Sequence, residues 1–84
     1  MQIRVRLLGM LRARAPANST LNLPADASVG DALSTLGIGF EEVQAVSVNG
    51  RIERDWERPL AVADELTVLP PVSGGRQAER DAFE

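Results

Sequence analysis

Two glycines, Gly74 and Gly75, sit shortly before the end of the chain, in the stretch LPPVSGGRQAERDAFE. Ended at Gly75, the chain would present a bare Gly-Gly carboxylate as a reactive end. Residues 76–84 follow instead, most of them charged or polar. The pair is therefore either an ordinary flexible joint or a reactive terminus that is still covered. Few side chains compete for a chemical role. The chain has no Cys, no Tyr and no His, and all 9 of its basic residues are Arg. It thus lacks the commonest general acid–base group, thiolate and imidazole metal ligands, and any lysine for a Schiff base. Without Lys it also offers no side-chain amine as an acceptor for isopeptide modification. The acidic residues Asp31, Glu41 and Glu42 read as a helix cap and a solvated face rather than as paired catalytic carboxylates. No catalytic side chain and no metal site is assigned.

The rest of the chain must position that end. Its 84 residues make one domain, and a chain of this length buries only about 60–65% of the surface it exposes when unfolded. At 44% hydrophobic and 25% charged residues it is too apolar for a disordered acidic chain. A net charge of −3 argues against nucleic-acid binding, which needs a basic face. The opening MQIRVRLLGM is too short and too interrupted by arginine for a signal peptide or a membrane span. A cytoplasmic protein with no membrane association is expected, and the absence of Cys is consistent with that compartment.

In residues 2–8, Ile3, Val5 and Leu7 alternate with Arg4, Arg6 and Leu8, the period of a half-buried strand, and Gly9 ends it. MLRARAPANS reads as a mixed connection. Thr20-Leu21-Asn22-Leu23 is a short strand stopped by Pro24, antiparallel to the first. In DASVGDAL, Ser28 caps a helix with Asp31 three residues on, a capping box with Asp in place of Glu. Val29, Ala32, Leu33 and Leu36 fall on one face, and Gly37 is a left-handed stop. Val46 and Val48 mark a third strand, Asn49-Gly50 a tight turn, and Arg51-Ile52 a returning strand. Glu53–Pro59 is a loop around Trp56, which reads as a satellite core anchor. Leu60 and Val62 are expected to be buried, and Ala63-Asp64 turns the chain into a final strand. There Leu66 and Val68 face one way, and Thr67 and Leu69 the other. Pro70 and Pro71 end the sheet, because neither can donate to a ladder. The order β-β-α-β-β-β with one helix predicts a two-layer α+β domain.

This pattern resembles the β-grasp, or ubiquitin-like, fold: a mixed sheet of four to five strands packed on one main helix. More narrowly it resembles the MoaD/ThiS family of sulfur carriers. IRVRLLGML, ADASVGDAL, VSVNGR and RPLAVADELTVLPPVSGG carry the likeness over residues 1–75. The last block is similar to the small subunit of molybdopterin synthase more than to the thiamine-pathway carriers. Two departures stand out. The family usually stops at the second glycine, and it commonly has Phe where this chain has Leu69.

The resemblance implies a domain over 1–69, an extended functional arm over 70–75 and an extension over 76–84. It also implies that Gly75, preceded by Gly74, bears the sulfur. In the family an E1-like adenylyltransferase of the MoeB/ThiF type uses ATP to adenylate the terminal carboxylate. Sulfur then replaces the adenylate, and the resulting thiocarboxylate donates sulfide within a complex with a MoaE-like catalytic subunit. The carrier itself binds no cofactor and has no catalytic residue. Glycine suits the end because its backbone enters a narrow channel without a Cβ collision. Pro70 and Pro71 stiffen the arm's exit, and with Val72 and Ser73 they form the part that docks. Pro70 to Gly75 span at most about 20 Å extended, enough to reach a partner's site while the body docks outside.

The fold also implies a docking patch. With the first and last strands parallel and adjacent, Leu8 and Leu69 share the outer face, Ala45 joins them, and Arg4 and Arg6 lie alongside. Residues 76–84 are too short for a stable free helix and are expected to be disordered and open to cleavage. The favoured expectation is a pro-form cut between Gly75 and Arg76 by a JAMM-type metalloprotease. The alternatives are a tail on a noncovalent binding module and one piece of a longer fusion. Two classes of function stay open: a sulfur carrier for molybdopterin, thiamine, cysteine or another sulfur compound, and a ubiquitin-like binding or conjugating module.

Overall fold

The alternation at the start of the chain forms β1 (Gln2–Leu7), with Ile3, Val5 and Leu7 buried and Gln2, Arg4 and Arg6 exposed. The computed structural model describes residues 1–71. Within them follow β2 (Thr20–Asn22), α1 (Val29–Thr35), β3 (Ala45–Val48), β4 (Arg51–Glu53) and β5 (Glu65–Leu69). The strands form one sheet in the order β2-β1-β5-β3-β4. β1 and β5 are parallel neighbours, and every other pairing is antiparallel. This is the β-grasp arrangement, a mixed sheet of five strands over one main helix.

Register puts the apolar residues of the three inner strands on one face. Val5 lies opposite Leu66, Leu7 opposite Val68, and Val68 opposite Val46. Against that face α1 packs Val29, Ala32 and Leu33, all fully buried. Each fully buried Leu, Ile or Val contributes roughly 1.5–3 kcal/mol relative to exposure, so this single layer dominates the stability of a small domain.

The helix is two turns long and depends on its ends. Ser28 Oγ accepts the Asp31 N–H (3.0 Å), and the Asp31 carboxylate accepts the Ser28 N–H (2.9 Å). Carbonyls from the loop below take two more first-turn donors: Val29 N–H bonds Arg58 O and Gly30 N–H bonds Trp56 O. Gly37, at φ +75°, stops the helix in the left-handed region. The Asn49-Gly50 turn has φ of 54° and 86°, positive at both residues as a two-residue hairpin requires. Asn49 also ties this hairpin to the start of β5, accepting the Glu65 N–H (2.8 Å) and donating to Asp64 (2.9 Å).

Two expectations are corrected. Val62 is 70% exposed rather than buried. It sits at the tip of a turn closed by the Asp64 N–H on Ala61 O, with Ala63 at φ +68°, so only Leu60 before it reaches the core. The stretch after Gly9 is a 3₁₀ helix, Gly9–Arg14, and it buries Leu11. Arginines flanking that leucine mask its periodicity over so short a segment.

Candidate functional site

The arm leaves the sheet from β5, and its root is built by three neighbouring segments. Leu69 is the last strand residue, and its carbonyl accepts the Gln44 N–H (2.8 Å). Ala45 lies directly opposite Leu69 in the antiparallel β3–β5 pair. Leu8 is extended just past the end of β1, and its N–H donates to Val68 O (3.2 Å), which continues the β1–β5 register toward Leu69. Leu8, Ala45 and Leu69 are each half-buried on the face turned away from α1. The structure thus brings Leu8, Ala45 and Leu69 together from three neighbouring segments.

Arg4 and Arg6 stand exposed on the same face of β1, opposite Glu65 and Thr67 respectively. Neither belongs to the ion pairs found among the described residues, which are Arg14–Glu42 and Arg58–Glu53. Pro70 is half-buried and Pro71 exposed. The remaining arm residues Val72, Ser73, Gly74 and Gly75, together with Arg76 and the rest of the extension, lie outside the described residues.

One residue of the root carried no functional reading in the sequence. Gly9 ends β1 at φ +57°, and a Cβ there would stand 2.9 Å from Pro70 Cγ. Glycine is favoured twice, for the left-handed backbone and for the close approach of Pro70. The sequence signal was only a glycine after a strand, because its partner lies at the other end of the chain.

Two of the three acidic candidates, Asp31 and Glu42, have structural employment. Asp31 completes the helix cap. Glu42 accepts from the Arg14 guanidinium and from the Gly39 N–H (3.4 Å). The bond from Arg14 holds the Glu42 carboxyl below its usual range, and Glu42 in turn raises Arg14. A carboxylate held ionised in this way is unsuited to general-acid work at neutral pH. Trp56 is half-buried against the core and meets Phe40 edge-to-face at 5.1 Å between ring centres. Among the described residues, no helix is long and apolar enough to cross a membrane.

The described residues therefore divide into a packed scaffold and a half-buried apolar patch beside the exit of β5 into Pro70. Comparison with known proteins bears on that division. A family model described as the ThiS family matches residues 5–75. Among solved structures, SAMP1 from Haloferax volcanii superposes with a TM-score of 0.68 at 28% identity, over 89% of this chain and 100% of that one. A separate crystal structure of H. volcanii small archaeal modifier protein 1 gives 0.66 at 26% identity, over 84% of this chain and 98% of that one. The complex of subunits 1 and 2 of molybdopterin-converting factor from Helicobacter pylori 26695 contains a chain that superposes at 0.58. At 22% identity, over 89% of this chain and 100% of that one, it shows the shared fold. Among curated proteins no match is found.

Proposed function

Because the chain belongs to the ThiS family, we propose that it is a sulfur carrier whose working end is the carboxyl group of Gly75. The observation that carries this reading is the span of the family match, which runs through the arm and stops at Gly75. The sheet supports it. β5 is a central strand, hydrogen-bonded on both sides, and it leads straight into Pro70. A strand gripped by two neighbours gives the arm a rigid origin.

The chemistry follows from the end group. An E1-like adenylyltransferase activates the Gly75 carboxylate with ATP, releasing pyrophosphate and forming an acyl adenylate. A sulfur donor displaces AMP and leaves a thiocarboxylate. A MoaE-like subunit then receives the arm, and the sulfur passes to a precursor, with molybdopterin the product the PPVSGG ending favours. The carrier contributes no side chain to these steps. It supplies the carboxylate and the surface that brings it into register, which Leu8, Ala45 and Leu69, with Arg4 and Arg6, provide. With Gly75 in a peptide bond to Arg76 there is no carboxylate to activate. A peptidase of JAMM type therefore cuts the Gly75–Arg76 bond first.

A second reading has its own support. SAMP1 is 28% identical over most of this chain, and small archaeal modifier protein 1 is by name a modifier. The same activated carboxyl group would then be joined to amines of other proteins.

Intact-mass measurement on protein purified from its own host separates the readings. A species ending at Gly75, with one carboxylate oxygen replaced by sulfur, is the expected result. Persistence of residues 76–84 while the pathway is running would sink the pro-form. A ladder of conjugates on lysines of other proteins would move the function to the modifier class.

A further inference from the structure

The docking root described above lies on one flank of the arm, and the structure contains a second flank. After Leu8 the left-handed turn at Gly9 carries the chain under Pro70, and Met10 emerges beyond it. Met10 is 75% exposed. A lone surface methionine is unremarkable, but this one lines a groove of about 460 Å³ with Leu11, Arg14, Glu41, Glu42 and the arm's own Pro71. Its apolar lining is Met10, Leu11 and Pro71. The rim is acidic: Glu42 is engaged by Arg14, while Glu41 is exposed and outside the ion pairs formed among the described residues.

Reach limits how far from this groove a partner can sit. Only Val72, Ser73, Gly74 and Gly75 separate Pro71 from the reactive carboxyl, and four extended residues span at most about 14 Å. A partner that encloses Gly75 must therefore come within that distance of Pro71. A stable interface buries about 800 Å² on each side, a disc roughly 30 Å across. Centred on the arm, such a footprint overlaps both flanks, with Leu8, Ala45 and Leu69 on one side and the groove on the other.

We infer that the groove of Met10, Leu11 and Pro71 is the second half of the docking surface for the enzyme that adenylates this carrier. That enzyme presents an apolar side chain to Met10 and a cationic one to Glu41. The inference rests on the carrier reading above. The two flanks differ in sign, since Arg4 and Arg6 border the sheet-face patch and Glu41 borders the groove. A partner with an acidic region on one side of its channel and a basic region on the other can dock in one orientation only. Rotated half a turn about the arm, it sets like charges against each other.

The test is ATP–pyrophosphate exchange catalysed by the adenylyltransferase of the same host, with the carrier ending at Gly75. The buried core lies wholly within Ile3–Val68, so this form retains all of it. Met10→Arg is expected to raise KM for the carrier about tenfold with kcat unchanged, the signature of lost docking energy rather than lost chemistry. Glu41→Arg should raise KM less, and its effect should shrink at high salt. Val62→Arg is the control. Val62 is as exposed as Met10 but adjoins Ala63, whose N–H bonds Gln2 O at the far end of β1, so KM should not move.

Thermal melting of each variant excludes misfolding, and Met10→Gln replaces Met10→Arg if the latter melts early. If the Met10 and Glu41 variants keep the wild-type KM while Leu69→Arg raises it, the second flank is overturned and the carrier reading stands. If the wild-type carrier supports no exchange, the carrier reading falls and takes the groove with it.

Discussion

The two faces of the sheet are made by the same strands and do opposite work. Toward α1, Ile3, Val5, Val46, Leu66 and Val68 are at most 1% exposed. On the other side, Arg4 and Arg6 are exposed, and Leu8, Ala45, Ser47, Thr67 and Leu69 are half-buried. Each strand alternates between the two environments, so neighbouring residues answer to different requirements. Leu66 and Leu69 share a strand and a residue type, yet one fills the core and the other borders the arm. The covered face sets whether the domain exists; the open face is free to be shaped by a partner.

Breaking the covered face should cost most. Leu66→Ala removes a fully buried side chain at the centre of the sheet and is expected to destabilise by about 2–5 kcal/mol, read from denaturant unfolding. Activity as a carrier should fall only to the extent that the domain unfolds. Next comes the residue at the boundary between body and arm. Gly9→Ala forces a Cβ into the left-handed region and against Pro70, and should cost about 1–3 kcal/mol by the same measurement. Unlike Leu66→Ala, it should also impair transfer in the fraction that stays folded, because it displaces the arm's root. Removing the helix cap tests the cover itself: Ser28→Ala should cost about 1 kcal/mol and leave docking untouched.

A smaller effect is expected from acid. The Asp64 carboxyl is held below its ordinary value of 3.8, first by the Ala61 N–H and then by the Asn49 side chain. A carboxyl with a depressed folded pKa takes up its proton more readily when unfolded. Its stabilisation is complete above 3.8 and is lost as pH falls through the lower folded value. The stability gap between wild type and Asp64→Asn should therefore close as unfolding is followed from pH 6 down to about 2. Smallest of all on stability is the open face. Leu69→Arg should shift unfolding by less than about 1 kcal/mol, as ordinary surface changes do, while abolishing or severely weakening adenylation. A Leu69→Arg variant that unfolds as readily as Leu66→Ala would erase the distinction between the faces.

Much of this was legible in the chain. Alternation located β1, β3 and β5 because a half-buried strand repeats every two residues. The capping box at Ser28 and Asp31 and the Asn49-Gly50 turn are local devices with local signatures. The resemblance over residues 1–75 brought Leu8, Ala45 and Leu69 together before any coordinates did. Other features were hidden. Leu11 is buried in a 3₁₀ segment too short to show a period among arginines. Val62 has the hydrophobicity of a core residue, and only the turn closed through Asp64 lifts it to the surface. Glu42 looked like one of a pair of solvated acids until Arg14, distant in sequence, was placed beside it.

The sequence by itself determined the five strands and α1, which face of each is apolar, and that two prolines and a Gly-Gly pair follow the last strand. These depend on interactions within a few residues, and alternation and capping encode them directly. Only the tertiary structure decided that Gly9 lies under Pro70, that Asn49 braces the start of β5, and that Met10 and Pro71 share a groove on the arm's second flank. Those contacts join segments that lie apart in the sequence, 15 residues or more. Their register is set by the pairing of β1 with β5 and of β5 with β3, where a slip of one residue would exchange the two faces. Burial of one face fixes that register, and so gives the other face its form.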